Sequence, residues 1–331
     1  MISIPKTALI VGVFLAQLSS AAVIQRRDGY HYRPHVLHPV WDDEAATATT
    51  STTKVAIPEP KTNSPATQRS AITTSSTAQA ASPRSEGAPW QPAAGSTWQI
   101  ELSGIVTDTT YVADVWDLDL FDVPQTTIDA LHAAGKKVIC YFSAGSFEDW
   151  RSDAADFQET DKGLAMEGWA GEWWLDTRTA NVRSIMASRI ALAKSKNCDA
   201  VDPDNVDGFG NANGVGLTEA DGVDFLNYLA DTAHAQGLSI GLKNAAALVD
   251  SVLDKMQFHV NEQCIEYDEC GLFTPFINAG KPVFHIEYPE VVASAPAVDA
   301  EVKSQRCVAA NSSGFSTVLK KENLDAWIDA C

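Results

Sequence analysis

Basic side chains are in short supply. The 331 residues carry 24 Lys and Arg against 43 Asp and Glu, and past residue 96 the imbalance sharpens to 16 against 37. A field of that sign repels nucleic acid and anionic membrane surfaces and draws cations toward it. Acidic surfaces also keep proteins soluble, so the charge alone names no ligand. No glycine-rich G-x-G-x-x-G turn follows an early strand pattern, which argues against the structural alternative, an open doubly wound sheet. The six cysteines lack zinc-like spacing. A calcium loop fails at its fifth position, where counting from Asp202 gives Val206. A metal-dependent polysaccharide deacetylase would need a His/Asp ligand set at strand ends, and His259 and His285 are the only histidines in strand patterns. No cofactor and no metal are expected.

Met1 to Ala22 reads as a secretory signal, with Lys6, an apolar stretch from Ala8 to Leu18 and the small residues Ser19 to Ala22. A single-span membrane anchor is the competing reading, weakened by Gln17, Ser19 and Ser20. Residues 23–89 read as a disordered linker. Residues 45–94 in particular are rich in Ala, Thr, Ser and Pro, cannot bury enough apolar surface to offset chain entropy, and suit an O-glycosylated stalk. His31, His35 and His38 have metal-like spacing but no fold around them. Secretion or cell-wall association is therefore expected, with one N-glycosylation sequon at Asn311. An even cysteine count in a secreted chain suggests disulfides. Cys264 with Cys270 and Cys307 with Cys331 are the favoured pairs; Cys140 is either a buried thiol or bridged to Cys198.

From Trp98 onward strand and helix patterns alternate. Nine segments read as strands: WQIEL, VWDLDLF, KVICYF, WWLD, AVDPDN, LSIGLKN, FHVNEQC, PVFHIEY and FSTVLK. Helices fit between many of them, opened by Pro124 or by a Thr218–Asp221 capping box and stopped by Gly135 or Gly237. The alternation predicts an α/β fold, a (β/α)8 TIM barrel over residues 90–331. One strand is then surplus, and WQIEL or FSTVLK is the expected extra.

Strand C-termini meet on the face of such a barrel where chemistry is done. Reading those ends gives Asp119, Tyr141, Ser143, Asp176, Asp204, Asn205, Lys243, Asn244, Glu262 and Glu287. Any one acid there could be a helix cap, Asp176 most readily. With a period of two, Asp202 and Asp204 share a side of their strand, so Asp204 would reach the pocket while Asp202 sits deeper or pairs with Lys243. Asp207-Gly208 reads as a turn. Two carboxylates on different strands, facing across a pocket, are what hydrolysis of a glycosidic bond needs. Asp204 and Glu262 are the best pair, with Glu287 next. Lys243 and Asn244 suit hydrogen bonds to carboxylates or sugar hydroxyls. Of Trp98, Trp116, Trp150, Trp169, Trp173 and Trp174, more are expected in the core than on sugar-stacking platforms.

The segments PWQPAAGSTWQIELSG, KKVICYFSAGSFEDWR, EWWLD, CDAVDPDNVDGF, GLSIGLKN, VNEQCIEYDEC and FHIEYP, in order from about Trp90 to Tyr288, closely resemble glycoside hydrolase family 114, the endo-α-1,4-polygalactosaminidases. The resemblance implies a (β/α)8 barrel that cleaves galactosaminogalactan within its α-1,4-linked galactosamine runs. It also implies that Asp204 of DPDN and Glu262 of NEQC are the proposed catalytic pair. Which of them is acid and which nucleophile or base stays open, as does retention or inversion. A cationic galactosamine polymer is the expected partner, with Asp119, Asp176 and Glu287 as expected ammonium contacts, and a monomer is the expected state. A non-catalytic protein that holds cationic polymer on the same barrel is the alternative.

Overall fold

The computed structural model describes residues 89–290 and 297–331. The readings made on residues 1–88, including signal, stalk and histidines, lie outside the described residues. Among the described residues no helix is long and apolar enough to cross a membrane.

The strands are β1 (Trp98–Glu101), β2 (Val115–Asp119), β3 (Lys137–Ser143), β4 (Ser146–Glu148), β5 (Lys162–Ala165), β6 (Glu172–Leu175), β7 (Ala200–Asp204), β8 (Ser239–Lys243), β9 (Phe258–Glu262), β10 (Val283–Glu287), β11 (Ser316–Leu319) and β12 (Asp329–Ala330). The helices are α1 (Gln125–Ala133), α2 (Ala180–Ser195), α3 (Glu219–Ala235), α4 (Val249–Val252), α5 (Thr274–Asn278) and α6 (Ala300–Cys307). A single curled sheet runs β1-β2-β3-β7-β8-β9-β10-β11-β12. Its first eight strands are parallel and β12 returns antiparallel on β11. These eight are the strands of a (β/α)8 barrel. At the seam between β11 and β1, Trp98 Nε1 donates to Ser316 O at 2.8 Å and Ser316 Oγ to Ser96 O at 2.7 Å. Just beyond them, Leu102 N donates to Leu324 O at 3.0 Å.

The period of two divides the sheet into two cores. Inside the barrel pack Trp98, Ile100, Val115, Ile139, Ala200, Phe258, Val260, Phe284, Ile286 and Val318. The opposite parity, including Trp116, Leu118, Val138, Cys140, Val201, Ile240 and Leu242, packs with the buried faces of α1, α2 and α3. Gly241 on β8 is required by this packing, since a Cβ there would lie 2.3 Å from the Phe258 ring. The cap signals hold: Thr218 and Asp221 form a reciprocal capping box on α3, and Thr179 Oγ1 accepts from Val182 N on α2.

The surplus strand is neither WQIEL nor FSTVLK, both of which are barrel strands. It is WWLD. Trp173 and Trp174 belong to β6, the middle of a separate antiparallel sheet β4-β6-β5 inserted between β3 and α2. Two arginines fasten this excursion to the barrel. Arg189 of α2 donates to Asp153 Oδ2 at 2.8 Å and to Ser143 O at 2.7 Å, and Arg151 bridges Glu148 at 2.8 Å and Asp119 at 2.7 Å. Trp98 and Trp116 are core residues; of the six tryptophans considered, only Trp150 and Trp169 are exposed.

All six cysteines are bridged: Cys140–Cys198, Cys264–Cys270 and Cys307–Cys331. The first ties β3 to the turn entering β7 across 58 residues, the second closes only 6. If constraint of the unfolded chain dominates, replacing Cys140 and Cys198 by alanine should lower the unfolding free energy by about 4 kcal/mol, and replacing Cys264 and Cys270 by about 2 kcal/mol. Urea unfolding of the two double variants checks the order.

Candidate active site

Three adjacent strands end in the residues that form the site: Asp204 on β7, Lys243 on β8 and Glu262 on β9. Each is followed by a residue in the left-handed region: Asn205 at φ 58°, Asn244 at φ 47° and Gln263 at φ 62°. Asparagine tolerates that conformation better than most residues. The sharp turn ends each strand directly after its functional side chain. Gly145 admits the turn after β7, because a Cβ at that position would overlap Asn205 O at 1.7 Å.

The Lys243 ammonium lies 3.3 Å from Asp204 Oδ2 and 3.2 Å from Glu262 Oε2. The carboxylates keep 18% and 17% of their side-chain exposure, the lysine 3%. The anions therefore face the opening and the cation sits beneath them. Asp204 also accepts from Tyr141 OH at 2.8 Å and from Asn205 N at 2.7 Å. Glu262 accepts from Asn244 Nδ2 at 2.9 Å and from Tyr288 OH at 2.5 Å, while its own amide donates to Asn244 Oδ1 at 2.9 Å. His259, packed against the rings of Phe273 and Phe276 and held neutral by burial, hydrogen-bonds through Nε2 to Asn244 O at 2.9 Å and so fixes the turn.

These contacts set the protonation states. Burial alone would push the Lys243 ammonium down, but Asp204, Glu262 and Asp202 outweigh it and raise its pKa well above the usual lysine range. Burial would raise Glu262, yet Lys243, Tyr288 and Asn244 hold it below the usual value. Burial and then the charge of Asp204 push the Tyr141 phenol far up, so it stays a donor to Asp204.

One layer deeper, Asp117 and Asp202 are fully buried and neither carboxylate receives a hydrogen bond from any N–H or O–H of another kind of residue. The bond open to them is with each other, and it requires one to be protonated. Burial, followed by the neighbouring charge of Asp202, raises Asp117 well above its ordinary value. Burial raises Asp202 to about 7 although Lys243 pulls it down. Beside the site, Glu172 of β6 is raised to about 8 by burial and by Glu148, and accepts from Ser146 Oγ at 2.8 Å. Ser146 joins Ser143, to whose hydroxyl Asn205 Nδ2 donates at 2.8 Å.

The structure thus brings together Tyr141, Asp204, Asn205, Lys243, Asn244 and Glu262. It does not bring in three others. Asp119 is buried against Arg151 and accepts the amides of Phe121 and Asp122. Asp176 is paired with Arg178 at 2.8 Å and 3.0 Å. Glu287 has the parity of the helix-facing side of β10 and is fully buried there, bound by His285 at 3.0 Å, Arg306 at 3.1 Å and Ile265 N at 2.8 Å. All three expected ammonium contacts are therefore already committed to hydrogen bonds or cations. Tyr288, one residue past Glu287, is the side chain that reaches the site. Asp207 and Gly208 form the expected turn, closed by Gly210 N donating to Asp207 O at 2.8 Å, and the Asp207 side chain makes no cap bond there. The only metal-like cluster among the described residues is Cys264, Cys270 and His285, whose two cysteines are joined as a disulfide.

The model of glycoside-hydrolase family GH114 matches residues 79–331. The chain belongs to glycoside-hydrolase family GH114. Among solved structures, Aspergillus fumigatus Ega3 in complex with galactosamine is 50% identical, covers 74% of this chain and 98% of its own, and has a TM-score of 0.72. The glycoside hydrolase domain of PelA from Pseudomonas aeruginosa is 15% identical over 71% of this chain and 98% of its own, with a TM-score of 0.54, a likeness of fold alone. A comparison with curated proteins found no match.

This GH114 site carries a pH signature. Asp202 and Glu172 have folded pKa values above their unfolded ones, so the stability they contribute is complete below about pH 4 and lost as pH rises through about 7 and 8. Asp199, lowered to about 2 by His132 and Lys137 against its burial, acts oppositely but only below about pH 4; His259, lowered by burial to about 3, opposes the decline up to about pH 6.5, and Lys320, lowered by burial to about 7, opposes it above about pH 7. The melting temperature should fall between pH 5 and pH 7, and Asp202→Asn or Glu172→Gln should flatten that decline. Thermal melts of the three proteins across this window are the check.

Proposed function

We propose that this chain is an endo-acting hydrolase that cuts α-1,4-linked galactosamine runs in a galactosaminogalactan-type polymer, using Asp204 and Glu262. The observation that carries the reading is the single buried ammonium that holds these two carboxylates side by side at the barrel mouth. The galactosamine complex of the 50% identical Ega3 supports the substrate. A de-N-acetylated sugar carries an ammonium near neutral pH, which a net negative barrel attracts. The signal-like N-terminus and the three disulfides support secretion or cell-wall association.

The same geometry favours retention. The nearest oxygens of the pair are no farther apart than 3.3 plus 3.2 Å, and only if the three atoms were collinear. At the tetrahedral angle between two N–H donors of one ammonium, those contacts give about 5.3 Å. Retaining pairs stand about 5–5.5 Å apart, whereas an inverting pair needs roughly 6.5–9.5 Å to admit a water. One carboxylate then attacks the anomeric carbon as the other protonates the leaving oxygen, and water hydrolyses the glycosyl-enzyme. The donors around Glu262 favour its ionised form, so any acid role for it requires bound substrate to displace Lys243 or Tyr288 from it.

Incubation with partly de-N-acetylated galactosaminogalactan should release oligosaccharides whose first-formed anomer is α, read by proton NMR. Asp204→Asn and Glu262→Gln should each lose roughly a hundredfold to ten-thousandfold in kcat yet still bind polymer. An intact protein that binds polymer and never cuts it would instead identify a binding protein. Activity should also fall as salt screens the cationic chain from the acidic barrel, and as the polymer is N-acetylated. Equal rates on both polymers would remove the charge argument.

A further inference from the structure

An anion that recognises a sugar ammonium cannot already be neutralised by a protein cation. Asp119, Asp176 and Glu287 are excluded on that ground, and Asp204 and Glu262 share Lys243. Asp207 differs. It lies three residues past Asp204, is half-buried, and among the described residues its carboxylate has no ion-pair partner and accepts a hydrogen bond from its own backbone amide alone. It stands close enough to Asp204, Lys243 and Glu262 to feel the charge of each.

The loop does not need that carboxylate. Its backbone is held by Gly210 N and Asn211 Nδ2, which donate to Asp207 O at 2.8 Å and 3.2 Å, and by Asn213 Nδ2, which donates to Gly208 O at 2.8 Å. Gly208 packs so closely on Trp174 and Leu217 that a Cβ would come within 3.1 Å and 3.2 Å of them. A half-buried carboxylate with no cation beside it and no donor but its own amide is destabilising, and burial followed by the charge of Asp204 pushes its pKa up to about 6. Groups kept in that condition beside a cleft are characteristic of functional sites.

We propose that Asp207 is a specificity-determining residue whose carboxylate receives the C2 ammonium of the galactosamine unit bound across Asp204 and Glu262. This rests on the substrate reading given above. The contact is an N–H···O ion pair, lost when the amine is acetylated and its charge removed.

The test is Asp207→Asn, a near-isosteric change that removes the charge. On de-N-acetylated galactosamine oligomers its KM should rise roughly tenfold to a hundredfold, the range of a charge-assisted hydrogen bond, with kcat changed far less. The dependence of kcat/KM on salt should flatten, and Asp207→Glu should recover part of both. A purely structural Asp207 would show itself as a lower melting temperature; the proposal expects an unchanged or higher one, since the substitution relieves an unpaired acid. If the wild type cuts the polymer and Asp207→Asn keeps its KM and salt dependence, the assignment of Asp207 is overturned while the substrate reading stands. If the wild type releases no oligosaccharide from the polymer, the substrate reading falls and the role of Asp207 falls with it.

Discussion

One buried ammonium organises the site. Lys243 is taken out of water at the end of β8, an expensive position for a cation unless anions compensate it, and the anions come from the strands on either side. Val201 pairs with Ile240, so three residues further along Asp204 stands level with Lys243. Lys243 pairs with Val260, and Glu262 is the next residue of that parity. The longer glutamate reaches back where the shorter aspartate suffices. Order β7-β8-β9, barrel register and cation together determine the spacing of the two carboxylates. Removing the ammonium would leave two anions repelling across the gap that the reaction requires to be fixed.

The strand ends are costly in backbone terms and are held by local bonds. A non-glycine residue in the left-handed region costs roughly 1–3 kcal/mol unless its side chain or its neighbours compensate. Asn205 donates its amide to Asp204, Asn244 binds Glu262 with both ends of its amide group, and Gln263 N donates to Ile286 O at 2.8 Å. Two of these four bonds therefore orient the carboxylates themselves. Local strain and positioning of the functional groups have the same cause.

Much of this was legible in the sequence, and each failure has its own physical origin. Asp204, Glu262 and Lys243 follow from strand ends and the family resemblance, and the deeper position of Asp202 follows from its parity with Asp204. Glu287 and Tyr288 went the other way. In a parallel barrel both faces of a strand are buried, so PVFHIEY is apolar on both parities and cannot announce which side faces the lumen. A one-residue error exchanges the faces. Asp119 is inward by parity but is claimed by Arg151, which arrives from the β4 excursion and cannot be anticipated by spacing. WWLD resembles a barrel strand in composition, and only its antiparallel partners Ser146 to Glu148 reveal its sheet. Asp207-Gly208 is the turn its composition suggests, but that the Asp207 side chain makes no cap bond in it is visible only in three dimensions.

The buried acids beneath the site explain why the ammonium stays where it is. Asp117 and Asp202 lie below Lys243, in a layer with no other donor to offer them. Were both ionised, two further anions would compete with Asp204 and Glu262 for one cation and draw it inward. Like charges in a site of low dielectric cannot both persist, and a shared proton removes one of them. The remaining charge still raises the affinity of Lys243 for its proton. The upper pair keeps the direct contacts, and the barrel interior is apolar below. The large negative charge of the domain is thus a poor guide to recognition at short range. Most of the strand-end acids are spent on arginine, lysine or a proton, and the field they leave steers a cationic chain toward the barrel without selecting where on it a sugar is held.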